Sequence, residues 1–421
     1  MNAKTVPVLC IALCSICQTM QAQNYDTNGD YVQPFVGCSI PGYLDGQGQE
    51  TEFSSPSQIV ADTSSNLYVW DSGNQAIRQV TAGGTVSTLV PDQADWGGYG
   101  LPIRSFGAMA IDHSNTIWLV GFYSSYPYLF NITTNGTVVV APGNLGVGAT
   151  NLTVASGICF DSANNLYYSG GNTIYRCNPQ TGVVHVFAGS GVRGYLDGNG
   201  IFTEFNFSAD VWPWALACDQ ANNVYVWDSG NGVIRKIDQN GSVTTVAGTG
   251  SAYNGDTDGI GTNASFNSIS AMTADNFGNV FMACGSCVRK MDASTKVSTI
   301  AGSFSQSSYA NGAGPVARFS SASGLCLSQG TIFVSDSGNQ RVRSITFNSV
   351  QQPLVAPNLN IAAYAGIQIT GATGRTYQIQ ASTDMASWNT VAILLLTSSP
   401  YLWIDTTSMG GRKFYRVFLM P

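Results

Sequence analysis

The tripeptide Asp-Ser-Gly is the segment of this sequence that first suggests chemistry, because a serine beside a carboxylate can act as a nucleophile. Such a serine also needs a base to accept its proton, most often a histidine. The tripeptide occurs three times, however, and one active site needs one nucleophile, whereas a structural turn can recur. We therefore expect a repeated turn at Asp71–Gly73, Asp228–Gly230 and Asp336–Gly338.

Histidine is scarce, with two residues in a chain of 421. His113 lies in a polar turn, and His185 lies in a predicted strand at the edge of a repeat. A zinc site built from histidines needs several of them at one point, and a Ser-His-Asp triad needs one beside its serine. The sequence therefore argues against both kinds of site.

Oxygen ligands for a metal are more abundant, since the chain has 24 Asp and Glu residues. The pattern selects no catalytic set among them. Asp26–Asp30 resembles the first half of a calcium loop, yet its glycine is misplaced and no Glu occupies the twelfth position. We expect a plain turn there and at Asp256–Gly259, so the sequence predicts no cofactor, and a calcium site at these segments is the less favoured alternative.

The segment Cys284-Gly285-Ser286-Cys287 has a spacing that serves redox or metal chemistry in cytosolic proteins. A zinc site would require a second such pair, which the sequence lacks. In an exported β-protein, we expect Cys284 and Cys287 to form a disulfide across a turn. Seven cysteines follow the predicted leader, so at least one thiol has no partner within the chain.

Export is predicted by the first 22 residues. Lys4 provides a positive start, and the apolar run from Val6 to Cys17 is too short to span a bilayer. Residues 1–22 therefore read as a signal peptide, and the sequence predicts no membrane span. The mature chain is expected in the periplasm, at the cell surface or in the medium.

The composition narrows the fold and the partners. Hydrophobic residues make up 44% of the chain, charged residues make up 10%, and there are 47 glycines. These values are typical of a turn-rich all-β protein and argue against disorder. The formal net charge is −7, so binding to a phosphate backbone would gain nothing from counterion release. We therefore expect no nucleic-acid partner.

Two blocks of sequence repeat along the chain. The segment Gly42–Gly48 recurs at Gly194–Gly200, and each copy is followed by Thr-Glu-Phe. A second block, Asn66–Asn74, recurs at Asn223–Asn231. An Ile-Arg or Val-Arg pair follows the second block in four copies, at Arg78, Arg235, Arg289 and Arg343.

These blocks resemble the NHL repeat family over roughly residues 26–347. The resemblance implies an all-β fold, a six-bladed β-propeller with one four-stranded sheet per repeat, in which repeats 2 and 3 are degenerate. The residues agree, because short runs rich in Val, Ile, Tyr, Phe and Thr alternate with Gly, Asn and Asp turns. Radial stacking buries both faces of such sheets. We expect the Asp and Arg of each repeat to brace one turn of the blade.

The ends of the repeat region suggest how the ring closes. The sixth repeat stops near Phe347 without a clear last strand, and Tyr31–Gly37 has the pattern of the missing strand. We therefore expect a propeller over residues 23–347, closed by the mature N-terminus. Residues 348–356 are predicted to be a linker. Residues 357–421 alternate as in a small β-sandwich, similar to fibronectin type III-like tail modules of secreted bacterial proteins.

The function expected from this architecture is binding. Connections between repeats and the Asp-Ser-Gly turns should gather on one acid-rich face, where they would bind a protein or glycan ligand. The two tryptophans whose strand ends reach this face could stack on sugars, although blade packing is the simpler role for them. The expected site residues are Asp45, Asp197, Asp256, Asp258, Trp70 and Trp227.

An alternative hypothesis is enzymatic. A metal-dependent hydrolase or lyase, similar to propeller lactonases, would place Asp and Asn side chains around the central channel. The residues leave this alternative open, together with the identity of the ligand and the oligomeric state. Among the face residues, Asp45, Asp197 and Asp258 are expected to be less constrained, so that changing them to Asn should preserve the fold.

Overall fold

A computed structural model of the chain describes residues 30–92, 105–123, 126–141, 157–207, 215–251 and 255–347, and, further on, residues 366–369, 372, 374–397, 401–404 and 414–420. The predicted leader and linker, and most of the calcium-loop-like segment, lie outside these residues. The chain divides into two compact units between residues 350 and 351.

The first unit consists of antiparallel strands joined by turns. Its strands are β1 (Asp30–Val36), β2 (Gly46–Gln47), β3 (Pro56–Ala61), β4 (Leu67–Asp71), β5 (Ala76–Val80), β6 (Thr85–Val90), β7 (Ser105–Ile111), β8 (Ile117–Tyr123), β9 (Tyr126–Ile132), β10 (Val138–Val140), β11 (Ile158–Phe160), β12 (Leu166–Gly170), β13 (Thr173–Asn178), β14 (Val183–Ala188), β15 (Gly198–Asn199), β16 (Leu216–Cys218), β17 (Val224–Asp228), β18 (Val233–Ile237), β19 (Ser242–Ala247), β20 (Gly259–Ile260), β21 (Ala271–Ala274), β22 (Val280–Cys284), β23 (Cys287–Met291), β24 (Lys296–Gly302), β25 (Gly312–Ala313), β26 (Ala322–Ser328), β27 (Thr331–Asp336) and β28 (Arg341–Phe347). Short 3-10 turns lie at Gly48–Glu50, Gly200–Phe202, Gly261–Asn263 and Ser337–Asn339.

These strands form six sheets, which we call blades 1 to 6. Their strand orders are β2-β6-β5-β4-β3, β10-β9-β8-β7, β11-β12-β13-β14, β15-β19-β18-β17-β16, β20-β24-β23-β22-β21 and β25-β1-β28-β27-β26. The inner strands β3, β7, β11, β16, β21 and β26 contact each other in that order, and β26 contacts β3. The ring is therefore closed, and the predicted all-β propeller is confirmed.

Each blade is covered on both faces, and the sequence of its second strand reflects this. All five residues of β4 and all five of β17 are buried. Hydrophobic cores form between neighbouring blades, as where Trp227 of blade 4 packs edge-on against Phe266, which precedes blade 5, at 5.7 Å between ring centroids. Radial stacking thus removes the apolar faces that a lone sheet would expose.

Ring closure uses the strand that the sequence predicted for it. β1 pairs antiparallel with β28, from Asp30 opposite Phe347 to Val36 opposite Val342. Val32 is fully buried in the core of the last blade. The N-terminal segment therefore supplies the outer strand of blade 6, and the edge of β28 is covered.

A fifth strand extends four of the blades. The connection that enters blade 1 contributes β2, which pairs with β6. In the same way β15 pairs with β19, β20 pairs with β24, and β25 pairs with β1. Each of these connections therefore runs outwards over the blade that it enters before it turns back to the channel.

The second unit is a small β-sandwich, as the sequence predicted. Its strands are β29 (Gly366–Ile369), β30 (Thr376–Ser382), β31 (Asn389–Leu395), β32 (Tyr401–Ile404) and β33 (Phe414–Leu419). They form the sheets β29-β32 and β31-β30-β33, which share a core of Ile369, Tyr377, Ile379 and Leu396. In the described parts of both units, no helix has the length and apolar character needed to cross a membrane.

Candidate functional site

The connections between blades lie on the same face as the turns between the second and third strands of each blade. Asn74, in such a turn, donates a hydrogen bond to the carbonyl of Gly42 in a connection, at 2.7 Å. Asn231 does the same to the carbonyl of Gly194, at 2.8 Å. We call this side the loop face; it contains the described parts of the connections, residues 37–55, 189–207, 248–251, 255–270 and 303–321, and the turns that contact them.

A buried arginine lies beside the contact between turn and connection and binds residues of both. In blade 1, the Arg78 side chain is fully buried, and its guanidinium lies 2.9 Å from Asp71 and 2.6 Å from Asp45. The same group donates hydrogen bonds to the carbonyls of Glu52 and Leu44, both at 3.0 Å. A buried guanidinium must be paired and hydrogen-bonded to offset its lost hydration, and here both conditions are met.

Blade 4 repeats this geometry. Arg235 lies 2.8 Å from Asp228, at the end of β17, and 2.7 Å from Asp197, in the connection. Burial raises the pKa of the Asp228 carboxyl, while hydrogen bonds from Asn231 and Asn206 and the charge of Arg235 oppose that shift. The predicted brace between the Asp and Arg of one repeat is present, and the connection adds a second carboxylate to it.

The carboxylates of the connections are more constrained than the sequence suggested. Asp45 accepts a hydrogen bond from the backbone N–H of Thr88 at 2.9 Å, and Asp197 accepts one from Thr245 at 3.0 Å, besides their arginine contacts. Asp258 contacts Arg289 at 2.9 Å in the same way. These three aspartates were expected to be less constrained than those of the turns, and they are more exposed than Asp71, Asp228 and Asp336, yet each ties a connection to its blade.

Blade 5 has the same arrangement, but the carboxylate that blades 1, 4 and 6 have at the end of the second strand comes from the connection. Cys284 stands at the end of β22, where blades 1, 4 and 6 have aspartate. Asp256 of the connection lies 3.9 Å from Arg289 instead. It also accepts a hydrogen bond from the backbone N–H of Asn267 at 2.9 Å, just as Asp228 accepts one from Asn206 at 2.8 Å. Asp256 therefore replaces the missing aspartate, and burial raises the pKa of its carboxyl.

This replacement can be tested by moving the carboxylate back. We expect Asp256→Ala to lower the free energy of unfolding by about 1–3 kcal/mol, because Arg289 loses a partner. Cys284→Asp, added to that variant, should recover most of the loss. Urea unfolding of the single and double variants measures the coupling. Cys284→Ala in the Asp256→Ala background is the control, and equal stability of the two double variants would contradict the replacement.

The cysteines pair differently from the prediction. Cys284 and Cys287 are both free and buried, and the Cys287 thiol donates to the carbonyl oxygen of Cys284 at 3.4 Å. Burial raises the pKa of the Cys287 thiol. The disulfide instead joins Cys159 to Cys218, on the inner strands of blades 3 and 4. Its Cα atoms are 6.0 Å apart, a distance that a bridge accommodates. The two halves are 59 residues apart, so spacing could not reveal them.

The two tryptophans of the expected site lie in the interior. Trp70 has 6% of its surface exposed and Trp227 has 1%. Each contributes to a core between neighbouring blades. Their role is therefore blade packing, the simpler of the two interpretations that the sequence left open, and neither ring is available to stack on a ligand.

Exposed aromatic rings do occur on the loop face, at positions that the sequence argument passed over. Tyr43, Tyr195 and Tyr309 are 40–48% exposed. Each covers a buried guanidinium from outside, with ring centroids 4.9, 5.3 and 4.6 Å from the central carbons of Arg78, Arg235 and Arg343. The signal was in the repeat, since each tyrosine stands two residues before an Asp or Asn of its connection.

The charge of the loop face is smaller than its aspartate content suggests. Within the ion pairs of this face, seven aspartates face four arginines, so three negative charges remain in excess among these paired groups. In blade 6, Asn311 takes the place of the connection aspartate and accepts from Arg343 at 2.7 Å. The face is therefore moderately acidic, with its charge concentrated in blades 1, 4 and 5.

The opposite face is built from self-contained turns. Asp62 accepts hydrogen bonds from the backbone N–H groups of Ser64 and Asn66 and from the hydroxyl of Tyr68. Burial and the Asp62 carboxylate raise the pKa of Tyr68 to about 12, so the hydroxyl stays protonated as a donor. Asp161 and Asp219 repeat the contact with their own tyrosines. These aspartates cap turns and leave little for a ligand.

The central channel is lined mainly by apolar side chains. The inner strands enclose a cavity of about 240 Å³, whose walls carry Ile59, Met109, Ile158, Leu216, Met272 and Leu325 among others. Aspartate, asparagine, glutamate and histidine do not occur in its lining within the described strands. The described residues also contain no group of three His, Cys, Asp or Glu side chains placed to hold a metal ion. The described residues of the channel therefore do not include the Asp and Asn side chains that the hydrolase hypothesis expected there.

Comparison with known proteins agrees with this architecture. Residues 319–343 match a family model described as NHL repeat. This match spans the inner strand, the second strand and the start of the third strand of blade 6, including Asp336 and Arg343. Among curated proteins, none matches the sequence.

Solved structures from Bacteroides share the propeller fold. A structural genomics protein of unknown function from Bacteroides thetaiotaomicron is 18% identical, with a TM-score of 0.61 over 75% of this chain and 76% of that chain. Auxiliary nutrient binding proteins from Bacteroides thetaiotaomicron and Bacteroides ovatus are each 16% identical. Their TM-scores are 0.59 and 0.57, over 76% of this chain and 76% and 77% of those chains. At such identities the likeness concerns the fold alone.

Proposed function

We propose that this protein is an exported, non-enzymatic binding or scaffold protein whose loop face holds a protein or glycan ligand. The observation that carries the proposal is the set of exposed tyrosines fixed on buried arginines. Export is proposed from the signal-peptide pattern of residues 1–22. Two of the structural neighbours are named auxiliary nutrient binding proteins, which is consistent with a binding role, and we take glycans as the first ligand class to test.

Rigid aromatic rings are well suited to recognition. A tyrosine offers a large amphipathic surface, and it loses little conformational entropy on binding when its orientation is already fixed. Tyr43 and Tyr195 are held in this way by Arg78 and Arg235, and exposed Leu44 and Leu196 lie next to them. The loop face therefore presents aromatic and apolar groups on a rigid scaffold, which is where binding sites usually form.

Carboxylates complete the polar part of the surface. The side chains of Asp45, Asp197 and Asp258 remain 44–46% exposed although each is paired with an arginine. Their Oδ2 atoms each accept one hydrogen bond from a backbone N–H, so each has a lone pair left for a hydroxyl or ammonium group of a ligand. A binding role is favoured over a metal-dependent hydrolase because the described residues around the channel do not include the Asp and Asn side chains that such an enzyme would place there.

The proposal is tested by binding of the full chain to an array of soluble polysaccharides and purified extracellular proteins. We expect the triple variant Tyr43→Ala, Tyr195→Ala, Tyr309→Ala to bind the selected ligand at least roughly tenfold more weakly, since hot spots of this type contribute 2 kcal/mol or more. The arginines and their aspartates are unchanged in this variant, and its melting temperature reports whether the fold is kept.

A matched control is available on the opposite face. Phe277 is an exposed aromatic residue in the first turn of blade 5, and its hydrogen bond to Asp275 uses the backbone N–H. Phe277→Ala should leave the affinity unchanged. Loss of affinity in this control, with none in the tyrosine variant, would place the ligand on the other face and contradict the proposal.

A further inference from the structure

Blade 3 departs from the arginine pattern. Tyr175 stands at the position on its third strand where Arg78 and Arg235 lie in blades 1 and 4. The ring of Tyr175 stacks on Tyr168, at 5.2 Å between centroids. The arginine of this strand is the next residue, Arg176, which projects on the other side of the sheet. Blade 3 thus has a cation with different surroundings.

Arg176 borders a shallow cavity of about 340 Å³ on the outer part of blade 3. Its polar lining consists of Asn165, Arg176, Asn178 and His185, and its apolar wall includes Val183 and Phe187. Arg176 and His185 are direct partners across β13 and β14, so their side chains lie side by side. The volume is close to the lower limit for small-ligand pockets.

Among the described residues, the guanidinium of Arg176 contacts an aromatic ring and is not paired with a carboxylate. It makes no hydrogen bond or ion pair with any described residue, and its recorded contact is with the ring of Tyr167 at 5.9 Å. Arg78 and Arg235, by contrast, are each held by two carboxylates. In a chain with net charge −7, an uncommitted guanidinium beside a histidine forms a local site for an anion.

Each of the two asparagines in the cavity has one side-chain hydrogen-bonding group without a partner among the described residues. Asn165 donates its side-chain N–H to Asp161 at 2.8 Å, and its amide oxygen accepts no hydrogen bond within the described chain. Asn178 has the reverse arrangement, because its amide oxygen accepts from the backbone N–H groups of Gln180 and Thr181, at 2.9 and 3.2 Å. One acceptor and one donor thus remain for a ligand.

We propose that this cavity binds a small hydroxycarboxylate, of the size of one acidic sugar residue. Arg176 and His185 hold the carboxylate, Asn165 and Asn178 bind hydroxyl groups, and Val183 and Phe187 pack against the apolar face of the sugar ring. This site is separate from the loop face, and it stands or falls independently of the function proposed above.

The test is isothermal titration calorimetry of the full chain with D-glucuronate, and with D-glucose as the uncharged analogue. We expect glucuronate to bind with a millimolar or lower Kd and glucose to bind at least roughly tenfold more weakly. Arg176→Gln should weaken glucuronate binding by a similar factor and leave the melting temperature nearly unchanged, because the guanidinium makes no hydrogen bond or ion pair with a described residue and contacts the Tyr167 ring at 5.9 Å.

Lys236 provides the matched control. It occupies the equivalent position in blade 4, opposite Tyr225, with its ammonium 6.0 Å from that ring. Lys236→Gln should bind glucuronate as the wild type does. The proposal is overturned if the wild type shows no glucuronate binding up to about 10 mM. It is also overturned if glucose binds equally well, or if Arg176→Gln and Lys236→Gln weaken binding to the same extent.

Discussion

Replacing Arg235 by methionine is expected to lower the free energy of unfolding of the propeller by about 3–5 kcal/mol, the cost of leaving one charge of a buried pair without its partner. Methionine can still fill the space between Tyr195 and Phe205, which contact the guanidinium from its two sides. The loss therefore reports the charge and hydrogen bonds rather than a cavity. Guanidinium unfolding followed by tryptophan fluorescence measures it.

The pH dependence of this variant separates the contribution of the Asp228 charge from that of the hydrogen bonds. Burial already raises the pKa of Asp228, and removing Arg235 removes a group that opposes the shift. A carboxyl with a raised pKa in the folded state contributes stability at low pH that is lost as pH rises through that pKa. The loss should thus be smaller near about pH 5 than near about pH 8.

Lys236→Met is the control for this experiment, because Lys236 is adjacent in sequence and only half-buried. It should change the stability by less than about 1 kcal/mol. If Arg235→Met and Lys236→Met were equally stable, the buried pair would not hold the connection in place, and the structural role of Asp197 and Asp228 would need revision.

Deletion of Tyr31–Gly37 is expected to have the second large effect. The deletion removes the outer strand of blade 6, exposes the edge of β28 and takes Val32 and Val36 out of two cores. Each of these valines is fully buried and contributes about 1.5–3 kcal/mol. Together with the lost backbone hydrogen bonds, this approaches the whole stability of a typical domain. We expect the propeller to lose its cooperative thermal transition.

Addition of the strand in trans distinguishes ring closure from general damage. A synthetic peptide covering residues 28–38 should restore part of the transition, by an amount that grows with peptide concentration, because it binds the folded state. A peptide with Val32→Asp serves as control, since it would place a charge in the core. An unchanged melting temperature in the deletion variant would show that β1 does not close the ring.

The repeats made the propeller predictable from sequence. Each blade must bury the same faces and make the same turns, so the pairs Asp71 with Arg78 and Asp228 with Arg235 recur at one spacing. These Asp-Arg pairs can be recognised in the sequence because the two partners lie seven residues apart. The segment Tyr31–Gly37 was identified for the same reason, since it matches a strand that one blade lacked.

The candidate site was harder to predict because its contacts are long-range. The sequence located Asp45 and Asp197 in the repeated connections, and it gave no sign that each reaches an arginine 33 or 38 residues away. Trp70 and Trp227 were expected near a surface because they precede a turn. Radial stacking covers both faces of their strands, so they became core residues.

The amino-acid sequence by itself determined the all-β propeller, the closing strand and the Asp-Arg brace, because periodic strands and short-range pairs depend on local order. Tertiary structure decided the rest. It paired Cys159 with Cys218 by bringing two inner strands together, and it let Asp256 take the place lost at Cys284. It also left Arg176 without an ion pair among the described residues, with the ring of Tyr167 as its contact. These outcomes depend on which side chains of different blades come into contact, and the order of residues along the chain does not reveal those contacts.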